Sequence, residues 1–315
     1  MPDRNKTELR ALVALFTGAV TIGGASILVR LSETGPTATA FWRGCLALPL
    51  LGLWALFEPA SQRPPGDDVP ARGASLRWIA AGLFFAADLA LWNWSLLLTS
   101  VAASTLEANL APLFVTFFLW LFYRERPTAR FIMATVFALC GMLLMVSPKF
   151  GQGGSAFVGD ALALGAAAFF GAYILAVASL RARYGTGIVM FVSTLVFALA
   201  LLPLALTQKF VPDTLSGWAT VAGCALAAQV FGQGLVAFAL AHLRPTFGSL
   251  GLLVQVLGAT TAAWLVLGER LSPIQMIGAL VIVGSIALAR SASQSSKPAQ
   301  DAAPVSVESL GVLRD

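Results

Sequence analysis

Charged residues are scarce in this sequence. Aspartate, glutamate, lysine and arginine make up only 11% of its 315 residues, while hydrophobic residues make up 58%. Soluble domains carry about 25% charged residues, so a soluble globular protein is excluded. The composition indicates a chain that lies largely within a lipid bilayer.

Residues that carry hydrolytic or metal chemistry are equally rare. The only histidine, His242, falls in a predicted turn, which excludes a serine–histidine dyad and a histidine metal site. Cys45, Cys140 and Cys224 lie in predicted spans without metal-ligand spacing. No Gly-x-x-x-x-Gly-Lys loop occurs, so ATP-driven pumping within this chain is not expected. The sequence predicts no enzyme, no metal and no cofactor.

Long apolar stretches are what the sequence has in abundance. A helix needs about 20 apolar residues to cross the hydrocarbon layer, and ten stretches approach or exceed that length. The fold class is therefore an all-α integral membrane protein with ten transmembrane helices. The ten predicted spans are Leu9–Arg30, Thr37–Phe57, Leu76–Leu97, Val101–Phe122, Ala129–Val146, Val158–Leu180, Thr186–Thr207, Ser216–Leu240, Pro245–Leu267 and Pro273–Ala289.

Basic residues specify the orientation of these spans. With both termini in the cytoplasm, 15 of the 20 lysines and arginines lie on the cytoplasmic side, four lie outside, and Arg43 lies within a span. The membrane rule therefore accounts for the basic pI, and no nucleic-acid partner is expected. The predicted location is a bacterial inner membrane, with the lipid bilayer as partner and a monomer or homodimer as assembly.

A repeated signature divides the chain into two halves. Glu125-Arg126-Pro127-Thr128 after the fourth span is similar to Glu269-Arg270-Leu271-Ser272 after the ninth, at an offset of 144 residues. Each half has five helices, and an odd number inverts the second half relative to the first. Inverted repeats are typical of alternating-access transporters. The predicted units are a cytoplasmic N-terminus (1–8), two five-helix repeats (9–147 and 158–290) and a disordered cytoplasmic tail (291–315).

The same residues resemble a known family. The stretch from Glu269 to Leu280 is similar to the hallmark of the EamA-like transporters of the drug/metabolite transporter superfamily, and Phe41-Trp42-Arg43 resembles the arginine motif of their second span. The resemblance implies export of an amino acid, a related metabolite or a drug, and some relatives import vitamins or sugars. One departure is that Pro112 in the fourth span has Val256 as its counterpart, so asymmetric helix bending is expected.

The signature glutamates have two interpretations. Glu125 and Glu269 could be gating or coupling acids, but the local sequence favours turn residues. Ser272, Pro273 and Gln275 have the spacing of an N-cap, a first-turn proline and a capping-box partner, and Thr128 can cap the fifth helix in the same way.

Three ionisable side chains fall inside predicted spans. Arg43, Asp88 and Glu107 lie at similar predicted depths, which allows a charge cluster in the outer half of the bundle. Arg43 would neutralise one carboxylate and leave the other to titrate. Asp88 or Glu107 is therefore the predicted proton-coupling or substrate-amine site, and a network that only holds the helices together is the alternative.

Uncharged polar residues extend this predicted site. Gln229 and Gln233 share a face of the eighth span, and Gln255 lies in the middle of the ninth. Trp92 shares a face with Asp88, is followed by Asn93, and could stack on a planar or cationic substrate group. Tyr173 and Phe231 are further candidates for lining residues. Such a cavity suits a zwitterionic amino acid or metabolite, and it would also suit a vitamin such as riboflavin.

Other membrane functions fit the sequence less well. A channel or a receptor is the second alternative. An inverted repeat with one off-centre charge cluster argues against a symmetric pore. For an intramembrane enzyme, the stretch from Phe157 to Asp160 lacks the Gly-x-Gly-Asp context of aspartyl proteases. The predicted function is a secondary transporter that works by alternating access, either coupled to protons or as an exchanger.

Overall fold

A computed structural model describes residues 2–58, 71–98, 107–146, 157–267 and 272–295, and no strand occurs among them. The first half contains helices α1 to α5 and the second half α6 to α10, with α8 and α9 each built from consecutive segments. The helices are α1 (Pro2–Arg30), α2 (Pro36–Phe57), α3 (Ala71–Leu98), α4 (Ala111–Tyr123), α5 (Ala129–Val146), α6 (Phe157–Arg181), α7 (Thr186–Ala205), α8 (Leu215–Cys224, Ala225–Gln233 and Gly234–Leu240), α9 (Pro245–Gly251 and Val254–Leu267) and α10 (Pro273–Ser295).

The length and composition of the helices fit a membrane-spanning bundle. Seven helices in the described residues are long and apolar enough to cross a membrane, and they belong to α1, α2 and α6 to α10. Ala111–Tyr123 and Ala129–Leu144 are shorter apolar helices. The described helices thus overlap all ten predicted spans, while the count of ten crossings stays a prediction.

The two halves pack against each other in a repeating scheme. Helix α3 of the first half packs on α6 and α7 of the second half. The corresponding helix of the second half, α8, packs in the same way on α1 and α2 of the first half. The α4–α6 pair likewise corresponds to α9–α1, while α2 packs on α7 and α5 on α10. Because the most extensive helix contacts join one half to the other, the core of the bundle is the interface between the halves.

Helix α4 begins after a break in the backbone, and α9 contains the equivalent break between its two segments. In the first half, the N–H of Leu110 donates to Glu107 O (3.0 Å) and that of Leu113 donates to Leu110 O (2.9 Å). In the second half, Leu253 donates to Leu250 O and Val256 to Leu253 O, both at 3.1 Å. These short-range bonds replace the α-helical pattern in both halves. The asymmetric bend expected from Pro112 is therefore wrong at this point, because the second half has the same break without proline.

Helix α8 also departs from regular α geometry. Its central segment, Ala225–Gln233, is a π-helix nine residues long between two α-helical segments. This widened stretch contains both predicted glutamines of the eighth span and packs on α1 and α2. Such π segments are rare and occur frequently at functional sites.

Candidate functional site

A buried polar chain joins α2, α7 and α8 at the centre of the interface. Arg43 donates hydrogen bonds from Nε (3.1 Å) and Nη2 (3.0 Å) to Oε1 of Gln229. The amide nitrogen of Gln229 donates in turn to Oγ1 of Thr194 at 2.8 Å. Gln229 and Thr194 are almost completely buried, at 1% and 0% exposure. The threonine therefore fixes the amide so that its oxygen faces the guanidinium.

An aromatic surface lies beneath the arginine. The Cζ atom of Arg43 is 5.5 Å from the ring centroid of Phe85, a cation–π contact. Phe85 stacks on Tyr173 at 4.5 Å and meets Phe197 edge to face at 5.2 Å. The guanidinium is thus held between an amide and a ring, which fixes its plane.

Asp88 is the carboxylate that belongs to this group. It follows Phe85 by three residues and so lies on the same face of α3, and its charge acts on both Arg43 and Tyr173. The hydrogen bonds of Arg43 go to Gln229, so Asp88 interacts with the arginine through its charge. The structure brings Arg43, Asp88, Gln229 and Tyr173 together.

Glu107 occupies a different place from the one expected. The carboxylate whose charge acts on it is Asp160 at the start of α6. In the described part of the chain, Oε2 of Glu107 is buried without a hydrogen-bond partner. Asp88 is thus the carboxylate whose charge acts on Arg43, whereas Glu107, at the break before α4, interacts with the charge of Asp160.

A second polar contact joins the two broken helices. The amide nitrogen of Gln255 on α9 donates to Oδ1 of Asn109 at 2.8 Å. Asn109 is only 8% exposed and lies two residues before the first residue of α4. Because broken helices near the middle of a bundle commonly form substrate or ion sites in transporters, this contact marks the second part of the candidate site.

The other predicted site residues are mostly buried as well. Gln233 and Asn93 are 4% and 3% exposed, and within the described ranges Nδ2 of Asn93 has no hydrogen-bond partner. Trp92 is half-buried. Phe231 is 59% exposed and faces away from the buried core.

The turn signatures have the local structure that their spacing predicts. The backbone N–H of Ser272 donates to Oε1 of Gln275 (2.9 Å), and the N–H of Gln275 donates to Oγ of Ser272 (3.4 Å), which is a capping box. Thr128 accepts from the N–H of Phe131 at 3.2 Å. Glu125 is exposed at the end of α4, and Glu269 lies outside the described residues.

Sequence reasoning missed Thr194, Asn109 and Phe85. Thr194 and Asn109 are single uncharged polar residues in apolar stretches, and such residues carry little signal without a partner. Phe85 is one of 21 phenylalanines. Its position one turn before Asp88 was the available indication.

Comparison with known proteins gives a family and a fold. The model of the EamA-like transporter family matches residues 9–147 and 157–291. No curated protein matches the chain. The fold matches 29 chains of solved structures. One, titled "Crystal structure of protein", is 19% identical with a TM-score of 0.68, and the alignment covers 94% of this chain and 99% of that chain. That likeness concerns the fold alone.

Proposed function

Because the chain belongs to the EamA-like transporter family and is a multi-pass membrane transporter, we propose that it is a secondary carrier of a small metabolite such as an amino acid. It works by alternating access in a bacterial inner membrane, with both termini in the cytoplasm. Export is the proposed direction, and uptake of a vitamin such as riboflavin is the alternative outcome of the test below.

The packing of the two halves supports alternating access. Contacts of the first half have counterparts in the second when the helix numbers are shifted by five. Helices α4 and α9 carry the same break, and five helices per half would invert one copy relative to the other. A site between inverted halves can be exposed to either side when one half rocks against the other.

The observation that carries the proposal is the bond between Arg43 and Gln229 across this interface. In the described residues, Nη1 of Arg43 donates no hydrogen bond, so it is the group that can bind a substrate carboxylate. Asp88 nearby can take a substrate ammonium group or a coupling proton. Together they suit a zwitterion, with Asn93 supplying an amide N–H group that no described residue accepts from.

The second part of the site has a supporting role in this proposal. Gln255 and Asn109 join the broken helices, and Glu107 lies two residues before Asn109. Any rearrangement of the breaks would move these groups relative to the Arg43 group. Gln233 and Trp92 are proposed to complete the lining.

The proposal is tested with purified protein in liposomes. Vesicles loaded with pooled unlabelled amino acids or vitamins are diluted into the same radiolabelled pool, and trapped label is measured over time. A carrier shows saturable uptake that the internal pool accelerates, whereas a channel shows neither property. Imposed gradients in each direction then decide between export and uptake. Absence of exchange by folded protein with every pool would contradict the proposed substrates.

A further inference from the structure

The turn between α4 and α5 exposes three arginines whose charge the protein does not neutralise. We call residues 124–130 the arginine turn, and its basic residues are Arg124, Arg126 and Arg130, all with exposed side chains. Within the described part of the chain, none of the three guanidinium groups donates a hydrogen bond or pairs with an acid. Glu125, the one acid of the turn, is itself exposed. The turn therefore presents several N–H donors and an excess of positive charge to its surroundings.

An arginine with a structural role has a different environment. The guanidinium of Arg181, at the end of α6, donates to the backbone carbonyls of Ala237 (3.2 Å) and Tyr184. Its hydrogen bonds thus go to the protein's own acceptors. Each guanidinium of the arginine turn instead keeps its five N–H donors for an acceptor outside the protein.

Arg124 occupies a backbone position that suits glycine better than arginine. Its φ of 57° and ψ of 18° are left-handed, a conformation with a steric cost for every residue that has a Cβ atom. The corresponding residue of the second half, 144 positions later, is Gly268, which lies outside the described residues. The preference for basic residues on the cytoplasmic side explains a basic turn. It does not explain an arginine at the one residue of the turn where a side chain has this cost.

The two copies of the turn also differ in total charge. Residues 124–130 include three arginines and one glutamate, whereas residues 268–274 include one of each. In the proposed orientation, the copy with the excess of arginine lies at the cytoplasmic leaflet. The surface of that leaflet is negative where it contains anionic lipids, and it attracts basic segments close to a membrane span.

Aromatic side chains indicate that the turn lies at the depth of the lipid headgroups. Trp120, Phe122 and Tyr123, in the last turn of α4, are 46%, 70% and 65% exposed. Tryptophan and tyrosine favour the boundary between hydrocarbon and headgroups. Arg124 follows directly, so the guanidinium groups begin at the level of the lipid phosphates. A planar guanidinium can donate two parallel N–H bonds to one phosphate.

We propose that the arginine turn is a binding surface for the headgroup of an anionic phospholipid, with Arg124, Arg126 and Arg130 as its phosphate-binding residues. The bound phosphate offsets the steric cost of Arg124 and anchors the end of α4 in one leaflet. The inference goes beyond the proposed transport and does not depend on it. It requires only that the turn meets a leaflet that contains anionic lipid.

Energy transfer to a labelled lipid tests the binding surface without any transported substrate. The purified full-length protein in neutral detergent is titrated with phosphatidylglycerol that carries a dansyl group on one acyl chain, and transfer from tryptophan is measured. Unlabelled phosphatidylglycerol should displace the label about tenfold more effectively than phosphatidylcholine. A variant with all three arginines of the turn changed to glutamine, the triple-glutamine variant, should bind the labelled lipid about tenfold more weakly or worse.

A matched control removes the same charge from other exposed positions at the same end of the bundle. Lys6→Gln, Arg10→Gln and Arg77→Gln are combined in one protein, and we expect its affinity to fall less than about twofold. Inorganic phosphate is compared with sodium chloride at equal ionic strength, to distinguish a lipid headgroup from a free anion. The two salts should displace the labelled lipid equally.

The steric cost of Arg124 provides a second measurement. Thermal unfolding of wild type and Arg124→Gly is compared in nanodiscs of phosphatidylcholine alone and in nanodiscs that also contain phosphatidylglycerol. We expect glycine to raise the unfolding temperature in the neutral lipid, and the gain to shrink or reverse in the anionic lipid, where arginine has its partner.

Four results would overturn the inference. The triple-glutamine variant could bind the labelled lipid like the wild type, or the control could lose as much affinity as that variant. Inorganic phosphate could displace the lipid more than chloride does, which would identify a free-anion site. Finally, Arg124→Gly could give the same gain in both lipids, which would mean that no headgroup binds Arg124.

Discussion

Arg43 and Gln229 form a two-bond contact in which one amide oxygen accepts both Nε and Nη2 of the arginine. The contact links α2 of the first half to the π segment of α8 in the second. Thr194 holds the amide from the other side, so the three residues act as one unit. Any motion that separates α2 from α8 must therefore break the bonds between Arg43 and Gln229.

Replacing Gln229 by leucine tests the energetic importance of this unit. Gln229→Leu removes the acceptor from a guanidinium and leaves the Thr194 hydroxyl unpaired, which we expect to cost about 2–3 kcal/mol. Thermal unfolding of the purified protein is followed with a thiol-reactive dye that reports exposure of buried Cys224, in a background with Cys45→Ala and Cys140→Ala. Gln229→Glu keeps an acceptor for Arg43 and should lose less. An unchanged unfolding temperature for Gln229→Leu would contradict the account.

The bond between Gln255 and Asn109 predicts coupling between the two broken helices. In a double-mutant cycle with Gln255→Ala and Asn109→Ala, we expect an interaction energy of about 0.5–1.5 kcal/mol. The same thermal assay measures it. Thr135→Val on α5, whose hydroxyl bonds to its own helix at Phe131, is the control and should be additive with Gln255→Ala. Additivity for the Asn109 pair would mean that the breaks are independent.

At the end of α4, a substitution is expected to stabilise the protein. Arg124 has a φ of 57°, the one positive value among described residues other than glycine, and its N–H caps the carbonyls of Leu119 and Trp120. Arg124→Gly removes a steric cost of the left-handed conformation and should stabilise the protein by about 0.5–1 kcal/mol. Arg126→Gly, two residues later, is the control and should give no gain.

The signature glutamate next to this turn is predicted to be a structural residue. Glu125 is exposed, so Glu125→Gln should change stability by less than about 0.5 kcal/mol and leave exchange activity unchanged. Counter-exchange in liposomes checks the second expectation. Loss of exchange at normal expression and stability would instead support the gating interpretation.

Glu33 predicts a dependence of stability on pH. Its carboxylate accepts from the hydroxyl of Thr214 and from the N–H groups of Asp213 (2.8 Å) and Thr214 (3.1 Å), thereby capping α8. The bond from the Thr214 hydroxyl is the main cause that lowers the pKa of Glu33 below its usual 4.5. A lowered pKa means that the stabilisation is complete above the usual value and is lost as pH falls through the lowered one.

The comparison of wild type with Glu33→Gln checks this sign. Wild type should unfold at a higher temperature than the variant at about pH 6, and the difference should shrink as the pH falls below about 4. Glu125→Gln serves as the exposed control and should show the same small difference at both values. A difference for Glu33→Gln that grows on acidification would contradict the capping role.

The sequence predicted the parts of this molecule that depend on composition and local pattern. Low charge and apolar stretches indicated an all-helical membrane protein, and the capping box at Ser272 followed from the spacing of its residues. The family resemblance came from motifs at the ends of both halves and is confirmed by the match to both repeats. These features need no knowledge of how distant helices meet.

The parts that depend on long-range packing were harder to predict. Depth along separate helices placed Glu107 beside Arg43, but depth gives no direction around the helix axis, and Glu107 lies at a break beside Asp160. The break in α9 was not predictable because no proline lies at this position in the sequence. The contact between the carboxylate of Glu58, after α2, and the N–H of Thr186, at the start of α7, was not predictable from local pattern, because the two residues lie more than a hundred positions apart.

Counter-exchange by wild type and Asp88→Asn in the same liposome preparation tests most directly whether the carrier site lies between the halves at Arg43 and Asp88. Asp88→Asn keeps the shape of the side chain and removes its charge, and Glu107→Gln provides a matched change away from Arg43. The account predicts saturable exchange by wild type, a loss of about tenfold or more for Asp88→Asn, and a smaller effect for Glu107→Gln. Wild-type rates in folded Asp88→Asn protein would contradict it.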